Sequence, residues 1–185
     1  MRRIPVFLTF IFILCGCSRS NSSIDQALSI RDAILQGNGC QFNVSITADY
    51  QNEYYTFEMS CQVDSSGNVT FEVKEPESIS GITGILSAQE GKLTFDDKIL
   101  VFSKMAEGYI TPVSAPWLFV SALRGGYIKG CAQEENGILL VIDDTYMDEA
   151  IQVNIRTVSD VPVFAEIIWQ NQRVLTMSVD AFRIL

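Results

Sequence analysis

Residues 24–36 show the spacing of hydrophobic positions that is typical of an amphipathic helix. Apolar side chains recur three and four positions apart on one face, which Arg31 interrupts. Ser23 and Gln26 have the spacing of a capping box, and Gly37 is a typical helix stop. The pattern therefore predicts one helix over 24–36, and its apolar face consists of Ile24, Ala27, Leu28, Ile34 and Leu35.

After this helix the hydrophobic period changes from 3.6 to 2. Apolar and polar residues alternate over 42–50 and 55–63, on either side of a turn at residues 51–52. Alternation of this kind is typical of strands with one buried face. The sequence thus predicts a long antiparallel hairpin, followed by a third strand over 69–73.

The rest of the chain alternates short strands with one apolar helix. Residues 103–116 contain glycine and two prolines, which predict a loop. The run 117–123 predicts a short, strongly apolar helix. Further strands are predicted at 80–87, 91–95, 98–102, 127–133, 137–142, 150–157, 161–169 and 173–184. This order of elements indicates a mainly β, α+β protein with a single domain over 23–185.

The N-terminus has the layout of a bacterial lipoprotein signal peptide. Two arginines precede an apolar run over residues 4–14, which ends in the box Leu14-Cys15-Gly16-Cys17. The run is too short for a stable membrane span, and small residues before a cysteine suit cleavage. We therefore expect residues 1–16 to be removed, with 17–22 forming an acylated Cys17 and a flexible tether. An ordinary cleaved signal peptide or an N-terminal anchor helix is the alternative.

Charge and composition narrow the classes of function. The chain has a formal net charge of −9, and because the leader holds two arginines and no acid, the mature chain has −11. Such acidity disfavours binding to nucleic acid and to anionic lipid headgroups, so the lipid must provide membrane attachment. The absence of histidine excludes Ser-His-Asp and Cys-His catalysis and His-ligated zinc. We therefore expect that the protein is not an enzyme and that it has no catalytic residue, bound metal or cofactor.

The cysteines of the predicted hairpin allow two readings. Cys40 and Cys61 share the parity of the apolar positions and lie opposite or one pair apart. They could form a disulfide, worth about 3 kcal/mol, or remain two reduced core thiols. Cys131 could partner either one or be a buried structural thiol. The acidic connection 143–149 lacks calcium-loop spacing and predicts a solvated loop.

A set of aromatic and methionine side chains suits either a lipid cavity or an ordinary core. An open sheet needs a cover on its concave face, which the apolar helix would provide as a permanent plug or as a lid over ligand. Apolar side chains at these spacings are usually core. The candidates to line a cavity are Phe42, Phe57, Met59, Phe71, Trp117, Phe119 and Trp169.

The order of elements resembles the superfamily of LolA- and LolB-like bacterial lipoprotein carriers. The likeness lies in the leading helix, the long hairpin and three short motifs. These motifs are Glu75-Pro76-Glu77-Ser78-Ile79-Ser80-Gly81, Gly91-Lys92-Leu93-Thr94-Phe95 and Pro162-Val163-Phe164-Ala165-Glu166-Ile167. The resemblance implies a strongly curved, incompletely closed antiparallel half-barrel. Its concave face would be covered by the N-terminal helix and the short apolar helix.

The resemblance also implies a function. Members of this superfamily receive a lipid or other amphiphile in a greasy cavity, and an acylated Cys17 is closer to the anchored members than to the soluble carrier. The alternative function is suggested by clostridial germination-type lipoproteins, which bind a cell-wall amidase. In that function this chain would be an interaction module that binds and regulates an envelope or spore cell-wall enzyme. We expect an extracytoplasmic protein, lipid-anchored to the cell membrane, with outer-membrane placement open for a Gram-negative cell.

Overall fold

The computed structural model describes residues 22–49, 54–103, 105–106, 109–145 and 150–185. Several sequence predictions lie outside these residues. They are the signal peptide 1–16, the lipidated Cys17 with most of its tether, the hairpin turn at 51–52, and residues 146–149 of the acidic connection.

Two α-helices form where the sequence predicts them, but their bounds and the buried face of the first differ from the prediction. Helix α1 spans Ser22–Gln36 and buries Ala27, Ile30 and Ile34. Leu28 and Leu35, which the sequence assigned to the apolar face, are 49% and 48% exposed. The prediction was wrong there because the buried stripe follows a 27, 30, 34 spacing, to which those leucines do not belong.

Helix α2 spans Ala115–Gly125, two residues longer at its start than predicted. Pro116 lies in its first turn, where a missing N–H costs no hydrogen bond, so the proline starts the helix rather than ending a loop. Within the described residues, no helix is long and apolar enough to span a membrane.

Thirteen strands account for most of the described chain. They are β1 Gly39–Asp49, β2 Tyr54–Asp64, β3 Val69–Glu75, β4 Thr83–Leu86, β5 Gly91–Phe95, β6 Lys98–Phe102, β7 Met105–Ala106, β8 Tyr109–Ile110, β9 Tyr127–Glu134, β10 Gly137–Asp143, β11 Gln152–Val158, β12 Val161–Trp169 and β13 Gln172–Ile184. Short 3₁₀ turns occur at Glu77–Ile79 and Pro112–Ser114. The predicted loop 103–116 therefore contains the β7–β8 pair and one 3₁₀ turn.

Eleven strands form one open antiparallel sheet in the order β6-β5-β4-β3-β2-β1-β13-β12-β11-β10-β9. Five of the ten strand pairs carry a register shift, and such bulges bend and twist a sheet. Both helices contact strands of this sheet, and the face that they cover is called the inner face below. The prediction of a mainly β, incompletely closed half-barrel with two helices is confirmed.

One row of side chains shows how the inner face changes along the sheet. Antiparallel register places Phe42, Cys61, Phe71, Gly84, Leu93 and Leu100 side by side across β1 to β6. Phe42 and Phe71 are buried in the core, whereas Leu100 is 61% exposed. Gly84 is needed in this row because a Cβ there would lie 2.5 Å from Cζ of Phe71. The core therefore lies under β9 to β13 and β1 to β3 and reaches Leu86 of β4, and exposure rises along the arm β4–β6 toward the edge strand.

Arg31 joins the two helices. Its Nε donates to the carbonyl oxygen of Leu123 at 2.8 Å, and its Nη2 donates to those of Ala122 and Gly126 at 3.2 and 2.7 Å. The last carbonyls of a helix have no partner within the helix and carry partial negative charge. Arg31 therefore interrupts the apolar face of α1 because it caps the C-terminus of α2.

We expect Arg31→Met to destabilise the fold by about 3 kcal/mol, because three part-buried hydrogen bonds from a charged donor are lost. Urea unfolding followed by circular dichroism measures the change. Arg173→Met is the control, since Arg173 pairs with Glu166 at 3.2 Å while 58% exposed. This control should cost about 0.5 kcal/mol or less. Equal losses in the two variants would contradict the capping role.

Candidate functional site: a cavity at the rim of the inner face

A cavity of about 500 Å³ opens between the end of α1, one side of α2 and two turns of the sheet. Helix α1 contributes Leu35, and helix α2 contributes Trp117, Ser121 and Arg124. The opposite wall consists of the β2–β3 and β4–β5 turns, residues 66–68 and 88–89. This rim cavity lies beside the filled core, not within it.

The β2–β3 turn holds Arg124 in place. Nη2 of Arg124 donates to the carbonyl oxygen of Ser65 at 2.7 Å. Gly67 has φ +86°, and a Cβ there would lie 3.0 Å from Nε of Arg124. A glycine is needed at this position both for its left-handed backbone and for the close approach of the guanidinium.

Asp64 fixes the shape of the same turn. Its Oδ1 accepts from the backbone N–H groups of Ser66 and Asn68 at 2.8 and 2.9 Å, and its Oδ2 accepts from Nδ2 of Asn68 at 2.9 Å. Desolvation acts to raise the pKa of Asp64, but these hydrogen bonds and one from Gly67 outweigh it and lower the pKa. The ionised carboxylate therefore stabilises the wall that carries Arg124.

The rim cavity combines two large apolar side chains and one cation with polar side chains of α2 and the two turns. Leu35 is half-exposed and Trp117 is half-buried, so both offer apolar surface to a ligand. The guanidinium of Arg124 is half-buried, and its planar set of N–H donors suits a carboxylate or a phosphate. This arrangement suits an amphiphile with an anionic head.

Most of the residues predicted to line a lipid cavity lie in the core. Phe42, Met59, Phe71 and Phe119 are buried. The ring of Phe119 packs edge-on against Phe42 at 5.5 Å and against Phe182 at 6.3 Å. Because α2 inserts Phe119 into this aromatic cluster, the helix fills the inner face there as a plug.

The other three predicted lining residues are half-buried. Phe57 and Trp169 pack against the core, and Trp117 lines the rim cavity. Nε1 of Trp169 is buried without an acceptor among the residues that the structure describes. Sequence reasoning did not identify Leu35 and Arg124 as site residues, because neither occurs in a motif and the fold alone brings them together.

Cys40 and Cys61 are free thiols in this structure. Cys40 pairs with Val63, and Cys61 pairs with Phe42, so the two cysteines are diagonal neighbours on the inner face. Burial raises the pKa of Cys40 to about 11, although Arg124 opposes the shift. Burial and the nearby Cys40 raise the pKa of Cys61 further. Both groups are protonated at neutral pH and pack as small hydrophobic side chains.

Cys131 lies on β9 and is half-buried. Burial raises its pKa, and the positive charge of Arg31 acts in the opposite direction. A raised pKa leaves little thiolate at neutral pH, which does not suit a nucleophile.

The acidic connection is partly engaged within the protein. Asp143 pairs with Lys129 at 3.3 Å, and Oδ1 of Asp144 accepts from the backbone N–H of Ile151 at 2.8 Å. Over the described ranges, no group of three or more acidic or cysteine side chains could hold a metal ion.

A second cavity, of about 440 Å³, lies on the outer face of β1 to β4. Amide and hydroxyl side chains line it, including Gln41, Asn43, Gln62, Thr70 and Thr83. We call it the polar trough. Its lining is more polar than apolar, so it suits a partner that forms hydrogen bonds.

The comparisons with known proteins find similarity in structure only. No family model matches the chain, and no curated protein matches its sequence. A LolA superfamily protein from Nitrosomonas europaea matches with 12% identity and a TM-score of 0.45, over 86% of this chain and 93% of that one. The lipoprotein LppX from Mycobacterium tuberculosis matches with 13% identity and a TM-score of 0.43, over 87% and 93%.

The Pseudomonas aeruginosa complex of MucA and MucB also matches, with 14% identity and a TM-score of 0.34, over 88% of this chain and 56% of that one. None of these three bears the name of an enzyme. The structural neighbours thus include a LolA superfamily protein, from the family that the sequence resembles. The likeness lies in the fold.

The raised pKa of Cys40 predicts a loss of stability at alkaline pH. Between the ordinary value of 9.0 and about 11, the folded protein keeps a proton that the unfolded chain releases. The contribution of Cys40 to stability is therefore fully present below pH 9.0 and falls as the pH rises toward 11, by about 1 kcal/mol at about pH 10. Cys61, whose pKa is also raised, adds to the fall of total stability. Urea unfolding at several pH values measures it. Cys40→Ala should show a smaller fall, and an unchanged fall would contradict this assignment.

Proposed function

We propose that this chain is an extracytoplasmic lipoprotein that binds an amphiphile in the rim cavity and catalyses no reaction. The observation that carries the proposal is the placement of Leu35 and Trp117 beside the guanidinium of Arg124 in a cavity of about 500 Å³. Ligand pockets of this size and mixed character take small amphiphiles. The filled core implies that the ligand binds at the rim and not within the sheet.

The chemistry of the rim cavity indicates an acyl chain with a carboxylate or phosphate head. Each buried methylene contributes about 0.8 kcal/mol, so affinity should rise with the length of acyl chain that packs against Leu35 and Trp117. Arg124 would bind the head through charge-assisted hydrogen bonds. The negative charge of the whole chain makes this cation important, because it offsets the repulsion of an anionic ligand.

The proposed location follows from the lipobox. A lipid on Cys17 would hold the protein on the outer side of the cell membrane, and two or three acyl chains make such anchoring lasting. Outer-membrane placement remains open if the cell has two membranes.

The polar trough favours a second candidate function. Its amide and hydroxyl side chains offer a surface that a partner protein could bind through hydrogen bonds. In that function the chain would be an interaction module that binds and regulates an envelope or spore cell-wall enzyme.

Leu35→Glu is the variant that tests amphiphile binding. A carboxylate in the apolar wall of the rim cavity repels an anionic ligand, so we expect roughly a tenfold or larger loss of affinity for dansyl-labelled undecanoic acid. Fluorescence titration of the domain from Ser18 onward measures it. Leu28→Glu is the matched control, since Leu28 is a leucine of the same helix with nearly the same exposure. It should bind as the wild type does.

Two results would contradict amphiphile binding. One is a wild-type domain that does not bind the probe, and the other is an equal loss of affinity in both glutamate variants. The first result would favour the interaction module instead.

Cys17→Ser tests the anchor. Serine offers no thiol for acylation, so the variant should leave the membrane fraction of cells that express the full chain. Centrifugation and immunoblotting measure this shift, and Cys131→Ser serves as the control that stays with the membrane. Retention of the Cys17→Ser variant on the membrane would contradict anchoring through this residue.

A further inference from the structure

We propose that the edge strand β6 pairs with β6 of a second copy, forming a two-fold symmetric dimer with one continuous sheet. The pairing is antiparallel and centred on Leu100. This inference concerns a surface outside the lining of the rim cavity and does not depend on the proposed ligand.

Strand β6 is the most exposed apolar strand of the sheet. Ile99, Leu100 and Val101 are 68%, 61% and 53% exposed, and they lie at an edge of the eleven-stranded sheet. Phe95 on the neighbouring strand β5 extends this apolar surface. A short apolar strand with an unpaired edge readily takes up another strand, and soluble proteins usually protect such edges with charge or cover.

The β5–β6 turn fixes which backbone groups of β6 face outward. Asp96 and Asp97 have φ of 49° and 59°, as in a two-residue type I′ turn, so Phe95 and Lys98 form the hydrogen-bonded closing pair. Hydrogen-bonded and non-bonded pairs alternate along an antiparallel ladder. Lys98, Leu100 and Phe102 therefore bond to β5, whereas Ile99 and Val101 direct their N–H and C=O groups away from the sheet.

The outward N–H and C=O groups of β6 in one copy are complementary to those of β6 in a second, antiparallel copy. With Leu100 opposite Leu100 of the second copy, Ile99 lies opposite Val101 of the other strand, and both residues supply outward N–H and C=O groups. The register gives four backbone hydrogen bonds and places all five residues of each β6 in the pair. It also brings Ile99 and Val101 of both copies together on the outer face, while the leucines meet on the inner face.

Charge favours a second copy on this edge. The chain has a net charge of −9, so two copies repel each other except where their surfaces lack acidic residues. Strand β6 contains no acid, and Lys98 is its one charge. Its edge is therefore a surface where two acidic molecules can approach.

The opposite edge of the sheet explains why the assembly closes as a dimer. Helix α1 packs against β9, and this strand carries Lys129 and Glu134 in ion pairs with Asp143 and Arg156. Addition of β6 to β9 would build an open fibre, but these features protect β9. Pairing of β6 with β6 uses up both apolar edges and ends there.

Cysteine substitution tests both the pairing and its register. The two copies of residue 100 form a non-hydrogen-bonded pair with Cα atoms about 4.5 Å apart, which suits a disulfide. The two copies of residue 99 are offset by two positions, with Cα atoms about 8 Å or more apart, beyond disulfide reach. Leu100→Cys in the full chain should therefore give a covalent dimer, and Ile99→Cys should not.

The experiment oxidises membranes of expressing cells with copper phenanthroline and separates the chains on a non-reducing gel. The wild type reports any background from the native cysteines, and equal maleimide labelling of the two variants shows that both thiols are accessible. A dimer band specific to Leu100→Cys supports the proposal. Absence of that band, or an equal band for Ile99→Cys, overturns it.

A second set of variants separates pairing from chance collision. In the Leu100→Cys background, Ile99→Lys with Val101→Lys places lysines of the two copies opposite each other, and the dimer band should be lost. Ile85→Lys adds one charge to β4, which does not lie at an edge of the sheet, and should leave the band unchanged. A band that survives the double lysine variant overturns the proposal, even if the rim cavity binds its ligand.

Discussion

Covering the inner face is the physical constraint on which this structure depends. An eleven-stranded sheet that does not close into a barrel leaves a large apolar surface exposed unless another element packs on it. Helix α2 meets this need by packing Phe119 edge-on against the stacked rings of Phe42 and Phe182, and Arg31 of α1 caps the end of α2. The two helices and the sheet therefore stabilise one another, and loss of either helix would expose the core.

The same constraint explains where binding surfaces occur. Helices α1 and α2 are shorter than the sheet is wide, so they fill the inner face under β1 to β3 and β9 to β13, and the middle of the edge strand β6 stays exposed. The rim cavity lies at the boundary of the region that the helices cover, between the two helices and two turns of the sheet. Both proposed binding surfaces, the rim cavity and the edge of β6, therefore lie where the helices no longer cover the sheet.

Sequence reasoning identified the elements well because their patterns are local. Alternation over β1 to β3 predicted which side chains face the core. The predicted capping box was wrong, because Ser23 lies inside α1 and its hydroxyl donates to Oε1 of Gln133 on β9. Sequence reasoning failed for Leu28 and Leu35 because one helical spacing had to be chosen without knowledge of the packing partner. It also could not show that the apolar run of β6 lies at an edge, since strand order depends on long-range pairing. Arg31 looked like an interruption until the carbonyls of α2 supplied its partners.

The length and direction of α1 have a consequence for the distance between the anchor and the ligand. The helix begins at Ser22 near β9 and reaches Leu35 after about 20 Å, at a rise of about 1.5 Å per residue. The chain between Cys17 and Ser22 adds at most about 17 Å. If Cys17 carries the proposed lipid anchor, the rim cavity can stand off the bilayer by up to about 40 Å. At that distance a ligand would have to leave its membrane and cross water to be captured.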